Sequence, residues 1–304
     1  MTRDLRGKTI IITGASSGIG AATAIECAAA GMNTVLSARR EDRLLELARR
    51  IEALGRESAV VAGDVNEPGI SQRMLEAAAN RFGRIDAVFA NAGYGIEKPV
   101  VHLNEAELRK IFDVNFFSCV ELIQLAAREM IDRGTRGHLL MCSSCLAKFT
   151  LPHYSAYSAT KAAQNHLCRA MGIELRPHGI AVSSVHPITT TTEFFEAVDR
   201  HSGKGPQGSV LPEHSPSMFV QTPQRVARAV VACLRRPRPE VWTSTIVRAT
   251  AAMMTLSPRF ADLVMRRVAA VDARERAAAG DLTGSLGIAR EDAAPKPHRT
   301  APAK

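Results

Sequence analysis

Between residues 8 and 186 the chain alternates short, β-branched apolar runs with longer segments of helical periodicity, a pattern few folds accept. Lys8–Thr13 (KTIIIT) is a continuous apolar run, as expected of a strand covered on both faces. Gly18 opens a helix stopped by Gly31. Further strands are read at Asn33–Ser37, Ser58–Ala62, Asp86–Ala90, His138–Ser143 and Ile180–His186. Helices are read at Glu41–Leu54, up to Phe82, over Glu105–Arg133 (one long helix or two abutting ones), over Tyr154–Arg176 and over Gln224–Arg236. Glu240–Ile246 is a candidate seventh strand. Repeated strand–helix units of this length imply an α/β fold with a doubly wound parallel sheet and right-handed crossovers.

No linker interrupts the pattern, so residues 1–250 read as one domain. Within it, residues 188–222 are rich in Thr, Ser, Gly, Pro and His. They are expected outside the carboxyl edge of the sheet, as a lid where ligands bind in this architecture. Residues 251–277 read as a basic helical extension and 278–304 as a disordered tail.

The net charge of +9 over 304 residues is unevenly placed. Residues 223–304 hold 15 Lys and Arg against 7 Asp and Glu, so the remaining body is close to neutral. With no base-reading motif, that charge does not indicate a nucleic-acid partner. The start lacks the apolar core of a secretory signal, and no stretch reaches the roughly 18 apolar residues of a membrane span, so a cytoplasmic location is expected. Six cysteines scattered through apolar segments read as reduced thiols. Cys142-Ser-Ser-Cys145 has CxxC spacing but no second ligand pair, and no metal site is expected.

The first strand runs into Thr13-Gly14-Ala15-Ser16-Ser17-Gly18-Ile19-Gly20, and a helix follows. Glycines in that context let the backbone approach a pyrophosphate, whose charge is met by the helix N-terminus. With Asn91-Ala92-Gly93, Asn115, Ser144 and Tyr157-Ser-Ala-Thr-Lys161 in this order, residues 6–195 resemble the short-chain dehydrogenase/reductase family. The resemblance implies a Rossmann-type sheet of about seven strands, a nicotinamide cofactor, and hydride transfer between an alcohol and a carbonyl. It also implies a homo-oligomer, dimer or tetramer, since relatives pair through helices matching 105–133 and 154–176.

At the end of the second strand stands Ser37-Ala38-Arg39-Arg40, where an acid would hold the ribose 2′-hydroxyl of NAD. A guanidinium grips a 2′-phosphate instead, so NADP is favoured over NAD, with Arg39 the preferred residue because it comes first. By resemblance Gly14, Ser16, Ser17, Gly18, Ile19 and Gly20 cradle the phosphates. Asp64 and Val65 then meet the adenine edge, and Asn91, Ala92 and Gly93 support the nucleotide. Asn91 also reads as an ordinary turn residue.

Tyr157 and Lys161 are four apart and share a helix face. A tyrosine of pKa near 10 is a sluggish acid at neutral pH, and a nearby ammonium lowers that value. The resemblance makes Tyr157 the general acid/base, Lys161 its cationic partner and ligand of the nicotinamide ribose, and Ser144 the hydroxyl that orients the substrate. Asn115 is implied to hold a proton-relay water beside the lysine. Ser143 and Tyr154 are the competing residues; Tyr154 has Ser158, not Lys, four positions on.

Two departures stand out. Ile188 follows Pro187 where the family has Gly, which predicts another loop path, and Thr192 is kept as the ligand of the nicotinamide carboxamide. Cys145-Leu146-Ala147-Lys148 replaces small residues, making Cys145 either an active-site thiol or a packed small hydrophobe. Phe149, Leu151, Phe194, Phe195, Met218 and Phe219 are candidate pocket residues for an apolar or bulky substrate such as a lipid, steroid, retinoid or aromatic ketone, or else lid core. The segment 246–270, with Arg248, Arg259, Arg266 and Arg267, reads as a packed helix, a subunit contact or a peripheral membrane contact. The rival to an enzyme is a non-catalytic dinucleotide sensor on the same fold.

Overall fold

The computed structural model describes residues 2–202 and 220–278. In chain order the elements are β1 (Thr9–Thr13), α1 (Gly18–Ala29), β2 (Asn33–Ala38), α2 (Glu41–Glu52), β3 (Ser58–Ala62), α3 (Ile70–Phe82), β4 (Ala87–Ala90), α4 (Glu105–Phe112), α5 (Ser118–Asp132) and β5 (His138–Cys142). There follow α6 (Ser155–Glu174), β6 (Ala181–His186), α7 (Phe194–His201), α8 (Pro223–Arg235), β7 (Glu240–Trp242), α9 (Thr245–Leu256) and α10 (Pro258–Ala278).

The seven strands form one parallel sheet in the order β3-β2-β1-β4-β5-β6-β7. This is the doubly wound parallel sheet read from the apolar runs, and the seven-stranded Rossmann type that the resemblance implies. The runs' lack of polar alternation has a direct cause, since both faces are covered. Ile10, Ile12, Leu36, Phe89 and Leu140 point into a core closed by α1, α2 and α8. Ile11, Val35, Val88 and Leu139 point the other way, into a core closed by α3, α5 and α6. Ile10, Ile11 and Ile12 have no exposed surface, and burying each contributes roughly 1.5–3 kcal/mol.

One expectation is corrected in detail, and one open alternative is decided. The seventh strand ends at Trp242 rather than Ile246. Ser244 instead caps α9, its Oγ accepting from Val247 N at 3.3 Å, so the small polar residues after Trp242 start a helix. The stretch Glu105–Arg133 is two helices, α4 and α5, joined by a π turn over Asp113–Phe117. Asn104 and Glu107 close a reciprocal capping box at the start of α4.

The chain divides into two compact units, Met1–Ala261 and Asp262–Lys304. The first contains the whole sheet. The second is described as helix, the continuation of α10, to Ala278. The tail expected over 278–304 lies, from 279 on, outside the described residues, as do Met218 and Phe219. Of the expected lid, the structure gives α7 and a parallel bridge between Thr190 and Gln221. Among the described residues, no helix is long and apolar enough to cross a membrane, and no cluster of three metal-ligating side chains occurs.

Candidate active site

β1 pairs with β2 on one side and β4 on the other, and the helices that follow β1 and β4 pack on opposite faces of the sheet, leaving a crevice at its carboxyl edge. The glycine loop forms one wall. Gly14 and Gly18 have φ of +65° and +56°. A Cβ on Gly20 would lie 2.3 Å from the Gly14 carbonyl oxygen, so no larger residue fits there without moving the loop. Asn91 N and Ala92 N donate to Thr13 Oγ1 at 2.9 and 3.0 Å, and Asn91 Nδ2 donates to Thr13 O at 3.0 Å. These bonds lock the β1 and β4 loops together. Ser17, the N-cap of α1, makes no side-chain cap bond, and the first turn carries no acid. The N–H groups at Gly18, Ile19 and Gly20 are thus left for an anion.

The two arginines after β2 go different ways. Arg39 is largely exposed and reaches only Asp64, at 3.9 Å. Arg40 lies over the loop: its Nη2 donates to Ser16 Oγ at 3.0 Å and Ser17 Oγ at 2.9 Å, and Nη1 pairs with Glu193 at 2.8 Å. The sequence preference for Arg39 overlooked this reach. Asp64, with Val65 just after β3, accepts from Asn66 N at 3.0 Å.

Ser144, Tyr157 and Lys161 meet on the other side of the crevice. Ser144 follows β5, while Tyr157 and Lys161 lie in the first turns of α6. The Ser144 side chain acts electrostatically on the Tyr157 phenol, and Lys161 Nζ stands 5.6 Å from the centre of the Tyr157 ring. The competing residues are engaged elsewhere. Ser143 Oγ donates to Lys161 O at 2.9 Å, and Tyr154 Oη donates to Glu97 at 3.1 Å. Asn115, fully buried in the π turn, accepts from Tyr94 N at 2.9 Å and donates to Tyr94 O at 2.8 Å. A π turn of this kind shifts the helical register locally, which is how it re-aims a side chain.

Burial raises the Tyr157 phenol above its ordinary value, Ser144 only partly opposing it. Burial likewise lowers the Lys161 ammonium. The loop carrying Ser144 is braced from behind by residues that sequence reading passed over. His186 Nδ1 donates to Ser144 O at 2.8 Å, and its ring stacks on Trp242 with centroids 4.5 Å apart. Burial pushes His186 down to about 4, so it is neutral at physiological pH. Lys148, one of the odd residues after the serine, pairs with Glu240 of β7 at 2.8 Å.

Residues 8–203 match the family model described as short chain dehydrogenase. The chain belongs to the short-chain dehydrogenase/reductase family. It is 31% identical over 236 residues to an uncharacterised oxidoreductase of Listeria innocua, covering 77% of this chain and 92% of the relative. It is 30% identical over 262 residues to 3beta-hydroxysteroid dehydrogenase 1 of Eggerthella lenta, covering 86% and 98%. A solved short-chain dehydrogenase/reductase from Mycobacterium marinum superposes with a TM-score of 0.69 at 29% identity, covering 79% of this chain and 94% of that one. Other solved neighbours carry NAD or NADP.

The family's oxidoreductases use a dinucleotide, and the crevice fits one: uncapped helix N–H groups and a glycine loop no Cβ could enter are what a pyrophosphate requires. Gly20→Ala should therefore abolish detectable NADPH binding in calorimetry while leaving the fold cooperative in thermal melts. Unchanged affinity would show that the loop does not approach the phosphates.

The departures from the family pattern resolve as follows. His153 is the one described non-glycine residue with positive φ, so Ile188 sits in an ordinary backbone conformation with its side chain buried, and the missing glycine causes no strain. Thr192 packs on the glycine loop, its methyl 3.0 Å from where a Gly18 Cβ would stand. Cys145 is pushed up to about 11 by burial, which suits a packed thiol rather than a nucleophile. Of the expected pocket aromatics, Phe194 reaches Tyr157 at 5.5 Å, with Phe195 edge-on behind it. Tyr94, Ile96 and Leu146, none of them anticipated, complete the apolar group around Tyr157, and Phe149 and Leu151 are not part of it.

Proposed function

We propose that this protein is an NADP-dependent oxidoreductase that interconverts an alcohol and a carbonyl on an apolar or bulky substrate. The observation that carries the reading is the meeting of Ser144, Tyr157 and Lys161 across the crevice from the glycine loop. Hydride transfer to or from carbon is the chemistry a bound nicotinamide supplies. Tyr157 gives the proton to the substrate oxygen in reduction and takes it back in oxidation. Ser144 orients that oxygen and stabilises the charge that develops on it. Lys161 holds the ribose and supplies the positive charge beside the phenol. Gly14, Ser16, Ser17, Gly18, Ile19, Gly20, Asn91, Ala92, Gly93 and Thr192 line the phosphate and nicotinamide side, and Asp64 and Val65 the adenine side.

Two guanidinium groups and no carboxylate at the end of β2 support NADP. An apolar substrate is supported by the group around Tyr157 and by the steroid-oxidising name of one relative. The test is turnover of a panel of steroid, aromatic and aliphatic ketones with NADPH. Tight NADPH binding with no turnover of any member would replace this reading by a dinucleotide sensor.

The exposed face of α9 supports a peripheral contact with anionic lipid. Val247, Ala251 and Met254 are buried, while Ile246, Met253 and Leu256 stand 61%, 51% and 85% exposed. Arg248 on the same helix and Arg259 just beyond it add charge. The protein should sediment with anionic vesicles at low salt and be released at high salt, and failure to sediment would remove this contact. Exposed Leu108, Phe117 and Ile173 on the long helices support self-association, which sedimentation velocity would measure.

A further inference from the structure

We infer that Gln164 is a positioning residue for Lys161, and that it closes the proton path on the inner side of the active site. The inference rests on the reading of Tyr157 and Lys161 as the acid/base pair. Gln164 lies three residues after Lys161 on α6, on the same face, and is fully buried. Its partners fix the direction of its amide. An ammonium only donates, so Lys161 Nζ meets Gln164 Oε1, at 3.2 Å. A main-chain carbonyl only accepts, so Asn115 O takes its hydrogen bond from Gln164 Nε2. That carbonyl is itself held still, because both ends of the Asn115 side chain are bonded to the Tyr94 backbone.

The hydrogens of Lys161 can then be counted. Nζ carries three. One goes to Cys142 O at 2.7 Å and one to Gln164. The third is left for the crevice, where the Tyr157 ring lies. Gln164 thus aims the charge as well as holding it.

The same contacts decide where protons cannot go. A water between Lys161 and Asn115 would accept and donate through one oxygen and so pass a proton along. An amide accepts at oxygen and donates at nitrogen, and a proton moved through it would leave an imidic acid. Gln164 occupies that place. The proton that Tyr157 gives to a substrate oxygen is therefore replaced from the crevice side, by a proton from water, which leaves as hydroxide.

Two substitutions in the full-length protein test this by their order. Gln164→Met keeps the volume and removes both polar ends. It should lower kcat about tenfold or more, the scale of a lost hydrogen bond to a charged group, with the Kd for NADPH little changed. Gln164→Ala opens room for a water and should lose less than Gln164→Met, with a larger solvent isotope effect than wild type. A merely structural role predicts the reverse order, since a cavity is worse than a filled core. Methionine at wild-type activity, or alanine below methionine, would overturn the inference. Should the wild type turn over no substrate, the lysine arm is still readable. The Lys161 ammonium followed by nitrogen NMR should titrate lower in Gln164→Met, which loses an acceptor for the charged form, and no change would overturn the positioning role.

Discussion

Tyr157→Phe should lower kcat for carbonyl reduction by about 10²–10⁴-fold, the usual contribution of a positioned general acid. The substitution removes one oxygen and leaves the ring packed against Phe194, so NADPH affinity and thermal stability should stay close to wild type. A loss confined to KM would mean the phenol binds substrate without protonating it. The pH dependence follows from the burial that holds the phenol above its ordinary value. Reduction needs the neutral phenol, which is the populated form at all pH values below the raised pKa, so kcat for reduction should stay flat through neutral pH. Oxidation needs the phenolate, a minor form there, so its rate should climb with pH, about tenfold per unit until the phenol titrates. Steady-state rates in both directions between pH 6 and 10 measure this. An oxidation rate already flat at pH 7 would mean that Lys161 brings the phenol well below its ordinary value when substrate and cofactor are bound.

The elements that position this site were legible for a physical reason. A strand covered on both faces does not alternate polar with apolar residues, and β1 (TIIIT) announces itself that way, while β6 (AVSSVH) buries Ser183, Ser184 and His186 in hydrogen bonds. β7 did not announce itself, because Ser244 belongs to a helix cap and its neighbours look equally like strand. The candidate set was legible as a cluster because Tyr157 and Lys161 are one helical turn apart and Ser144 ends a strand. Gln164 obeys the same spacing rule from Lys161, so its signal was present, and only its contact with Asn115, 49 residues away, was hidden. The reach of Arg40 was hidden for a different reason. Distance along the chain favoured Arg39, but the backbone turns into α2 after β2, and the second side chain, not the first, swings over the glycine loop. Ile188 shows the converse: a residue type that argued for a different loop path turned out to need no special backbone angle.

Arg40→Ala should weaken NADPH binding by about ten- to a hundredfold and leave NADH almost unchanged, because only the 2′-phosphate distinguishes the two and hydrogen bonds to a charged group are worth that much. Arg39→Ala should cost less, since an exposed guanidinium 3.9 Å from its partner is free to move and screened by water. The complication is Glu193, which already holds Arg40 at 2.8 Å. Burial pushes the Glu193 carboxyl up, but Arg40 and Ser17 more than offset this, leaving it below the usual range and ionised at neutral pH. A 2′-phosphate brings nearly two negative charges to the same guanidinium, so it must displace or share with a carboxylate that repels it. Glu193→Gln removes the competitor and its charge while keeping the side-chain shape, and should tighten NADPH but not NADH. Glu193 lies between Thr192, which packs on Gly18, and Phe194, which packs on Tyr157, so the same substitution should also loosen the lid. Calorimetric titration of both nucleotides into the three variants separates the cases. If Arg39→Ala proves the costlier change and Glu193→Gln leaves NADPH affinity alone, the phosphate sits on Arg39, and the Arg40–Glu193 pair serves only to fasten the lid.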